Sequence, residues 1–264
     1  MEHQLAAQLV EPPRPPVYTQ REIRAGWVLH VFTASGVIVG MLGLESIVEG
    51  HARAAILWLV VAMLMDGVDG PIARKINVRH AIPHIDGNTL DLIVDFFTCT
   101  IVPVAFLDKF DMLPDNTIAL TGFVILLTGA LWMARTDQET EDRWFRGFPA
   151  EWNVIIPTLF LLNANEWFNL AMCAFLCVLT MMHVEFPHPV SVREKRPMSL
   201  VAMGVWIGAM VTLAIEQDRQ NRGLRALLVL APLWTAYMVI DRARRNRAAR
   251  RAGITSSAAA SAPQ

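Results

Sequence analysis

Four aspartates stand where the chain can least easily place charge. Asp66 and Asp69 lie in the stretch Met65 to Arg74, and Asp91 and Asp95 in the stretch Asp86 to Asp95. Residues 54–65 and 96–107 beside them are free of Asp, Glu, Lys and Arg, but each run is only 12 residues long. A helix needs about 20 apolar residues to cross a bilayer, so these runs reach spanning length only by taking in the aspartates. On helices, Asp66 and Asp69 are i and i+3 and share a face that Gly70 and Ala73 extend; Asp91 and Asp95 are i and i+4, with Gly87 one turn earlier. Two neighbouring helices then converge four carboxylates at one end of a bundle. Each charge costs about 2.5–3.5 kcal/mol at a helix centre, and their mutual repulsion adds to that, so the set calls for cations. Oxygen-only donors select Mg²⁺ or Mn²⁺, and four carboxylates can hold two ions. With Arg74 nearby, the chemistry is that of a diphosphate ester: the ions neutralise phosphoryl oxygens, and a carboxylate takes the proton of an attacking hydroxyl. Taken singly, each residue has a plainer reading. An aspartate can be a solvated helix end, Gly70 and Gly87 packing glycines, and Arg74 a membrane-face anchor; the constellation is what argues for chemistry.

The elements that must position these residues are membrane helices. The chain has 264 residues, 54% hydrophobic and 18% charged, against about 25% charged in a soluble domain. Charge-free runs of 18 to 20 residues occupy 25–44, 116–134, 167–184 and 197–215, and shorter ones 152–165 and 226–240. The expected fold is all-α, a polytopic bundle of about eight spans near 25–46, 52–74, 86–107, 115–135, 149–165, 166–184, 197–216 and 223–241. No alternating segment argues for β structure. With both termini cytoplasmic, 18 of the 23 basic residues fall on the inner side, as the positive-inside rule requires. The first span is too long for a signal peptide and follows a polar stretch, Glu11 to Pro16. Residues 1–18 are expected to form a disordered Pro-rich tail, 19–242 the transmembrane domain, and 243–264 a basic, then low-complexity tail, disordered from about Ala248. Tyr18 to Gly26 suits a short amphipathic helix on the inner leaflet. A net charge of −1 excludes a global basic field for nucleic acid, and Cys99, Cys173 and Cys177 have neither disulfide context nor zinc spacing.

These residues closely resemble the signature of the CDP-alcohol phosphatidyltransferases. The match is Asp69-Gly70-x2-Ala73-Arg74, a spacer, then Gly87-x3-Asp91-x3-Asp95, with Asp66 as the additional upstream aspartate. The spacer, Lys75 to Asp86, has twelve residues, which is similar to the bacterial phosphatidylcholine synthase branch. Trp27 to Gly36, Thr140 to Asn153 and Phe186 to Pro197 also look like that branch, so the resemblance covers most of residues 20–240. It implies attack by choline's hydroxyl on the β-phosphate of CDP-diacylglycerol, giving phosphatidylcholine and CMP. It further implies Mn²⁺ or Mg²⁺, a homodimer, and the inner membrane with the site facing the cytoplasm. By motif position, Asp66, Asp69, Asp91 and Asp95 bind metal, with Asp91 and Asp95 catalytic and Asp95 the general base. Gly70, Ala73, Arg74 and Gly87 hold the cytidine diphosphate, together with Thr33 of the first span. Where relatives often carry Asn, this chain has His30, either a nucleotide contact or a packed helix-face histidine.

A quaternary ammonium offers no hydrogen bonds and is held by aromatic faces and carboxylates. Trp144, Phe145, Phe148 and Trp152, with Glu141 and Asp142, crowd one expected cytoplasmic connection and form a candidate choline cage; interfacial tryptophans are the plainer reading. His84 lines the headgroup site or is a solvated loop histidine. The alternatives are a serine, inositol or glycerol phosphate acceptor, a membrane prenyltransferase, and an ion-coupled transporter. The prenyltransferase leaves Gly70 to Arg74 unexplained. The transporter should show inverted repeats, and no second copy of the aspartate pattern occurs.

Overall fold

The computed structural model describes residues 18–76, 82–216 and 221–251. The expected disorder of residues 1–17 and 252–264, and the middle of the spacer at 77–81, lie outside the described residues. The first rod is α1, Gln20–Val48. It starts at a capping box, in which Thr19 Oγ1 accepts from the Glu22 amide and the Glu22 carboxylate accepts from the Thr19 amide. Nothing interrupts the helix afterwards, so the separate surface helix expected at Tyr18 to Gly26 is instead the opening of α1. Next come α2, Ala52–Ile76, and α3, Gly87–Asp95, which Asp86 caps by accepting from the Asn88 amide at 3.0 Å. A π-helical turn, Phe96–Ile101, joins α3 to α4, Val102–Lys109, in one 23-residue rod. The wide turn has a local cause: Pro103 has no N–H to return to the preceding turn.

The second half comprises α5, Ile118–Met133; β1, Trp144–Arg146; α6, Trp152–Leu162; α7, Glu166–Met181; β2, Glu185–Pro187; α8, Arg196–Ile215; and α9, Arg222–Arg251. Helix occupies all eight expected places, so the all-α fold stands. Among the described residues, five rods are long and apolar enough to cross a membrane: α1, α2, the α3–α4 rod, α8 and α9. The others are shorter. At 1.5 Å per residue, the 11 residues of α6 cover about 17 Å of a core about 30 Å thick. It falls short of the expected 149–165 because Ala150 at φ 58° delays its start and Asn163 at φ 53° ends it. At the other extreme, α9 runs unbroken through Arg251, where a tail was expected from residue 243.

The expectation of no β structure needs correction. Strands β1 and β2 pair antiparallel, with Phe145 opposite Phe186, in pieces too short for alternation to register in a sequence. The pairing has a topological consequence. Since β1 precedes α6 and β2 follows α7, it returns both ends of that helical hairpin to one end of the bundle. Gly147, at φ 89°, crosses where a Cβ has no room against the Thr180 carbonyl, and its amide donates to Val184 O at 2.8 Å.

In lipid, tails are as apolar as leucine, so helices adhere by close packing rather than hydrophobic expulsion. α1 meets this with glycines. A Cβ at Gly36 would stand 2.7 Å from Val94 Cγ1, and one at Gly40 2.7 Å from the Phe97 ring. α1 therefore lies tight against α3 and the π-turn. The interior is filled by Ile56 and Leu59 of α2, Phe106 of α4, Trp152 and Ile156 of α6, and Trp206 and Met210 of α8. Val28, Val31, Leu120, Phe123 and Trp167 face outward, as a lipid-facing surface requires.

Candidate active site

α2 and α3 bring the expected aspartates together. One carboxylate oxygen from each of Asp66, Asp91 and Asp95 lies within 4.8 Å of the others. Asp69 stands beside this triad rather than in it: it is buried and accepts from Thr33 Oγ1 at 2.7 Å. All four line a cavity of about 10 Å³, with Thr33 and Thr98 at its walls, room for one water or a bare ion. The α1 glycines make this possible, since a side chain at Gly36 would push α3, and Asp91 and Asp95 with it, away from α1. Asp95 is the last residue before the π-turn, a feature that often marks functional sites because it re-aims the flanking side chains.

Close hard-oxygen donors, with no lysine or arginine among the described residues that line the cavity, fit a divalent cation. The triad meets that test on donor type and separation, and Asp69 adds a fourth carboxylate on the same cavity. Arg74 lies one turn beyond Gly70 on α2. A methyl group at Gly70 would meet only the Arg74 guanidinium, at 3.4 Å, so this face of α2 is otherwise open; Ala73 beside it is half-buried. Gly87 and His30 are neighbours, with 3.3 Å between a Cβ built at Gly87 and His30 Cε1. His30 is 5% exposed and its Nε2 has no partner among the described residues. His84 is exposed, its ring 5.9 Å from that of Trp27.

The expected choline cage is not assembled. Trp144 is buried beneath Arg242, whose guanidinium carbon is 4.9 Å from the ring centre. The same guanidinium holds Asp142 at 2.8 Å and Glu185 at 2.6 Å. Phe145 stacks on His188 at 5.1 Å, and Trp152 is enclosed against Phe148 at 5.5 Å. Glu141 is exposed. These residues tie α9 to the β1–β2 ladder, and their faces are already covered by protein. Sequence reasoning missed Arg242, the last residue of the expected transmembrane domain, and His188. It also gave no role to Glu151, although that is the only charged residue between Arg146 and Glu166.

Residues 28–238 match the sequence profile of the CDP-alcohol phosphatidyltransferases. A phosphatidylcholine synthase of Pseudomonas aeruginosa is 35% identical over 216 residues, 81% of this chain and 88% of the relative. One from Bradyrhizobium diazoefficiens is 35% identical over 81% of this chain and 80% of its own. One from Borreliella burgdorferi is 29% identical over 81% and 91% respectively.

Proposed function

Since the chain belongs to the CDP-alcohol phosphatidyltransferase family, a family of metal-using phosphotransferases, we propose that it transfers the phosphatidyl group of CDP-diacylglycerol to choline. The products are phosphatidylcholine and CMP. The observation that carries this reading is the convergence of Asp66, Asp91 and Asp95 within 4.8 Å at the meeting of α2 and α3. The names borne by the relatives support choline as the acceptor.

Asp66, Asp69, Asp91 and Asp95 hold two Mn²⁺ or Mg²⁺ ions, which when bound supply positive charge to the diphosphate oxygens and to the departing phosphate. Thr33 fixes Asp69 by its hydrogen bond. Arg74 pairs with the diphosphate, which approaches α2 across the open faces of Gly70 and Ala73. Gly87 and His30, with its free Nε2, line the nucleotide end. Asp95 accepts the proton of the choline hydroxyl as its oxygen bonds to the β-phosphorus. The bond from that phosphorus to the bridging oxygen breaks, and the electron pair leaves on CMP. Asp91, one turn before Asp95, completes the pair that positions the reacting groups. The distribution of 18 basic residues against five supports a multi-pass protein of the bacterial inner membrane, site toward the cytoplasm; the family resemblance supports a homodimer. The experiment is an acceptor panel on the purified protein with CDP-diacylglycerol and Mn²⁺. Choline should release CMP; release with serine, inositol or glycerol phosphate and none with choline would overturn the assignment.

A further inference from the structure

The outward face of α9 changes chemistry along its length without changing direction. Leu230, Leu233, Tyr237 and Ile240 are exposed, and the helix runs unbroken from Arg222 to Arg251. Steps of three and four residues carry the same face onward to Arg244, Arg247 and Arg251, all of them exposed. The opposite face buries Met238 and then turns Arg242 and Arg245 toward other elements. There Arg242 meets Asp142 and Glu185, and Arg245 meets Glu194 and Asp241. The outward three have no carboxylate partner among the described residues, and residues 242–264 contain no Asp or Glu to supply one.

Membrane geometry sets what meets that stripe. The charge-free run 226–240 has 15 residues, about 22 Å of helix against a hydrocarbon core about 30 Å thick. The arginines beyond it are therefore drawn to the core boundary rather than held out in water. Tyr237, whose hydroxyl accepts from Lys195 Nζ at 2.9 Å, is the kind of side chain that marks this boundary. Arg244 and Arg247 stand about 6 and 10 Å past Ile240 along the axis. Helix side chains lean toward the N-terminus, which here is toward the membrane, and a headgroup layer is about 5–8 Å deep. Guanidinium groups on a lipid-facing surface at that depth meet phosphodiesters, whose oxygens they match with paired hydrogen bonds. Their uncompensated charge favours lipids of net negative charge over zwitterionic ones. Orientation in the bilayer needs only basic residues near the span. It does not require them on the lipid face while the inner arginines are neutralised. We infer that Arg244, Arg247 and Arg251 form a docking surface for anionic phospholipid headgroups. Bound headgroups steady the last turns of α9, from which Arg242 reaches the β1–β2 ladder.

The test follows thermal unfolding of the full chain in detergent with added phosphatidylglycerol or zwitterionic phosphatidylethanolamine. Phosphatidylglycerol should raise the unfolding temperature by about 3 °C or more, as a ligand of the folded state does; phosphatidylethanolamine should not. About 0.5 M NaCl should weaken the rise. Replacing Arg244, Arg247 and Arg251 together by Gln should abolish it. Each variant is compared with its own lipid-free value, so a change in basal stability does not obscure the reading. Singly, Arg247→Gln should reduce the rise more than Arg250→Gln, which removes the same charge from another face of the helix. No rise with phosphatidylglycerol, an equal rise with phosphatidylethanolamine, or a rise insensitive to salt overturns the inference. So does a rise retained in the triple variant, or an equal loss in Arg247→Gln and Arg250→Gln, which would make net charge the cause. None of these outcomes depends on the acceptor alcohol, so failure of the choline assignment leaves this inference standing.

Discussion

Asp95 is the residue on which the account can be tested at the finest scale, because its replacement by asparagine keeps the shape and removes the base. Asp95→Asn should lower turnover about 10²- to 10⁴-fold, the usual worth of a general base. CDP-diacylglycerol binding should survive, as read by a donor titration of the variant. Loss of donor binding in parallel would make Asp95 only a binding ligand. The aspartates were legible in the sequence because i, i+3 and i, i+4 spacings fix faces, and because each pair truncates an otherwise apolar run. What spacing could not tell is which oxygens meet. Asp69 turns to Thr33, a contact between separate helices, and stands beside a triad where four converging carboxylates were expected. The packing of the aromatic residues was hidden for the same reason. A cluster of Trp, Phe and acid in a loop says nothing of Arg242, which arrives from α9 and covers Trp144.

At the scale of elements, the site depends on how closely α1 lies against the α3–α4 rod. Gly36→Leu forces a side chain into Val94, only 2.7 Å from the Cβ position. Overpacking of this kind costs about 1–3 kcal/mol. A lower unfolding temperature in detergent and reduced activity should follow, since α3 carries Asp91 and Asp95. Gly204→Ala on α8 meets nothing within 4 Å and should leave the unfolding temperature equal or slightly higher, by helix propensity alone. The ladder that closes this end adds a pH dependence. Burial, with Arg74 and Arg143 nearby and Glu139 opposing them, holds the His188 pKa below its ordinary 6.5. The folded protein thus binds the His188 proton less readily than the unfolded chain, so this residue's contribution is present above about pH 6.5 and is lost as pH falls below it. His188→Gln should flatten that part of the stability profile measured by thermal unfolding from pH 7.5 to 5; an unchanged slope would contradict it. Long uncharged runs made the helices readable. Three-residue strands and a single π-turn carry no period, and α6 is cut short by backbone conformations at Ala150 and Asn163 that composition does not reveal.

For the whole molecule, the informative quantity is the arrangement of charge rather than its sum of −1. Four acids stand inside the fold, and the basic residues gather at one end, where α9 continues as helix through Arg251. Arg245 is held there by Glu194 at 2.9 Å and Asp241 at 3.3 Å. That helical end was read as a tail because its arginines end the apolar run, while their partners lie on other elements. Arg242 is the clamp that joins α9 to the β1–β2 ladder. Arg242→Ala removes the cation from Asp142 and Glu185, which keep only Thr140 and Asn246 as donors among the described residues, and uncovers the Trp144 face, at a cost of about 1–3 kcal/mol. Faster proteolysis at Glu185 to Lys195 and a lower unfolding temperature are the expected readouts.

The central claim is that the aspartate cluster holds the divalent ions on which phosphatidyl transfer to choline depends. Its most direct test counts bound Mn²⁺ by electron paramagnetic resonance while following labelled choline into phosphatidylcholine on the same preparation. The account predicts that bound Mn²⁺ and product formation rise together in the wild-type protein. Both should fall in Asp91→Asn, and EDTA should abolish them until Mn²⁺ is restored. Full-rate phosphatidylcholine formation by chelated protein, or by Asp91→Asn without bound Mn²⁺, would contradict it.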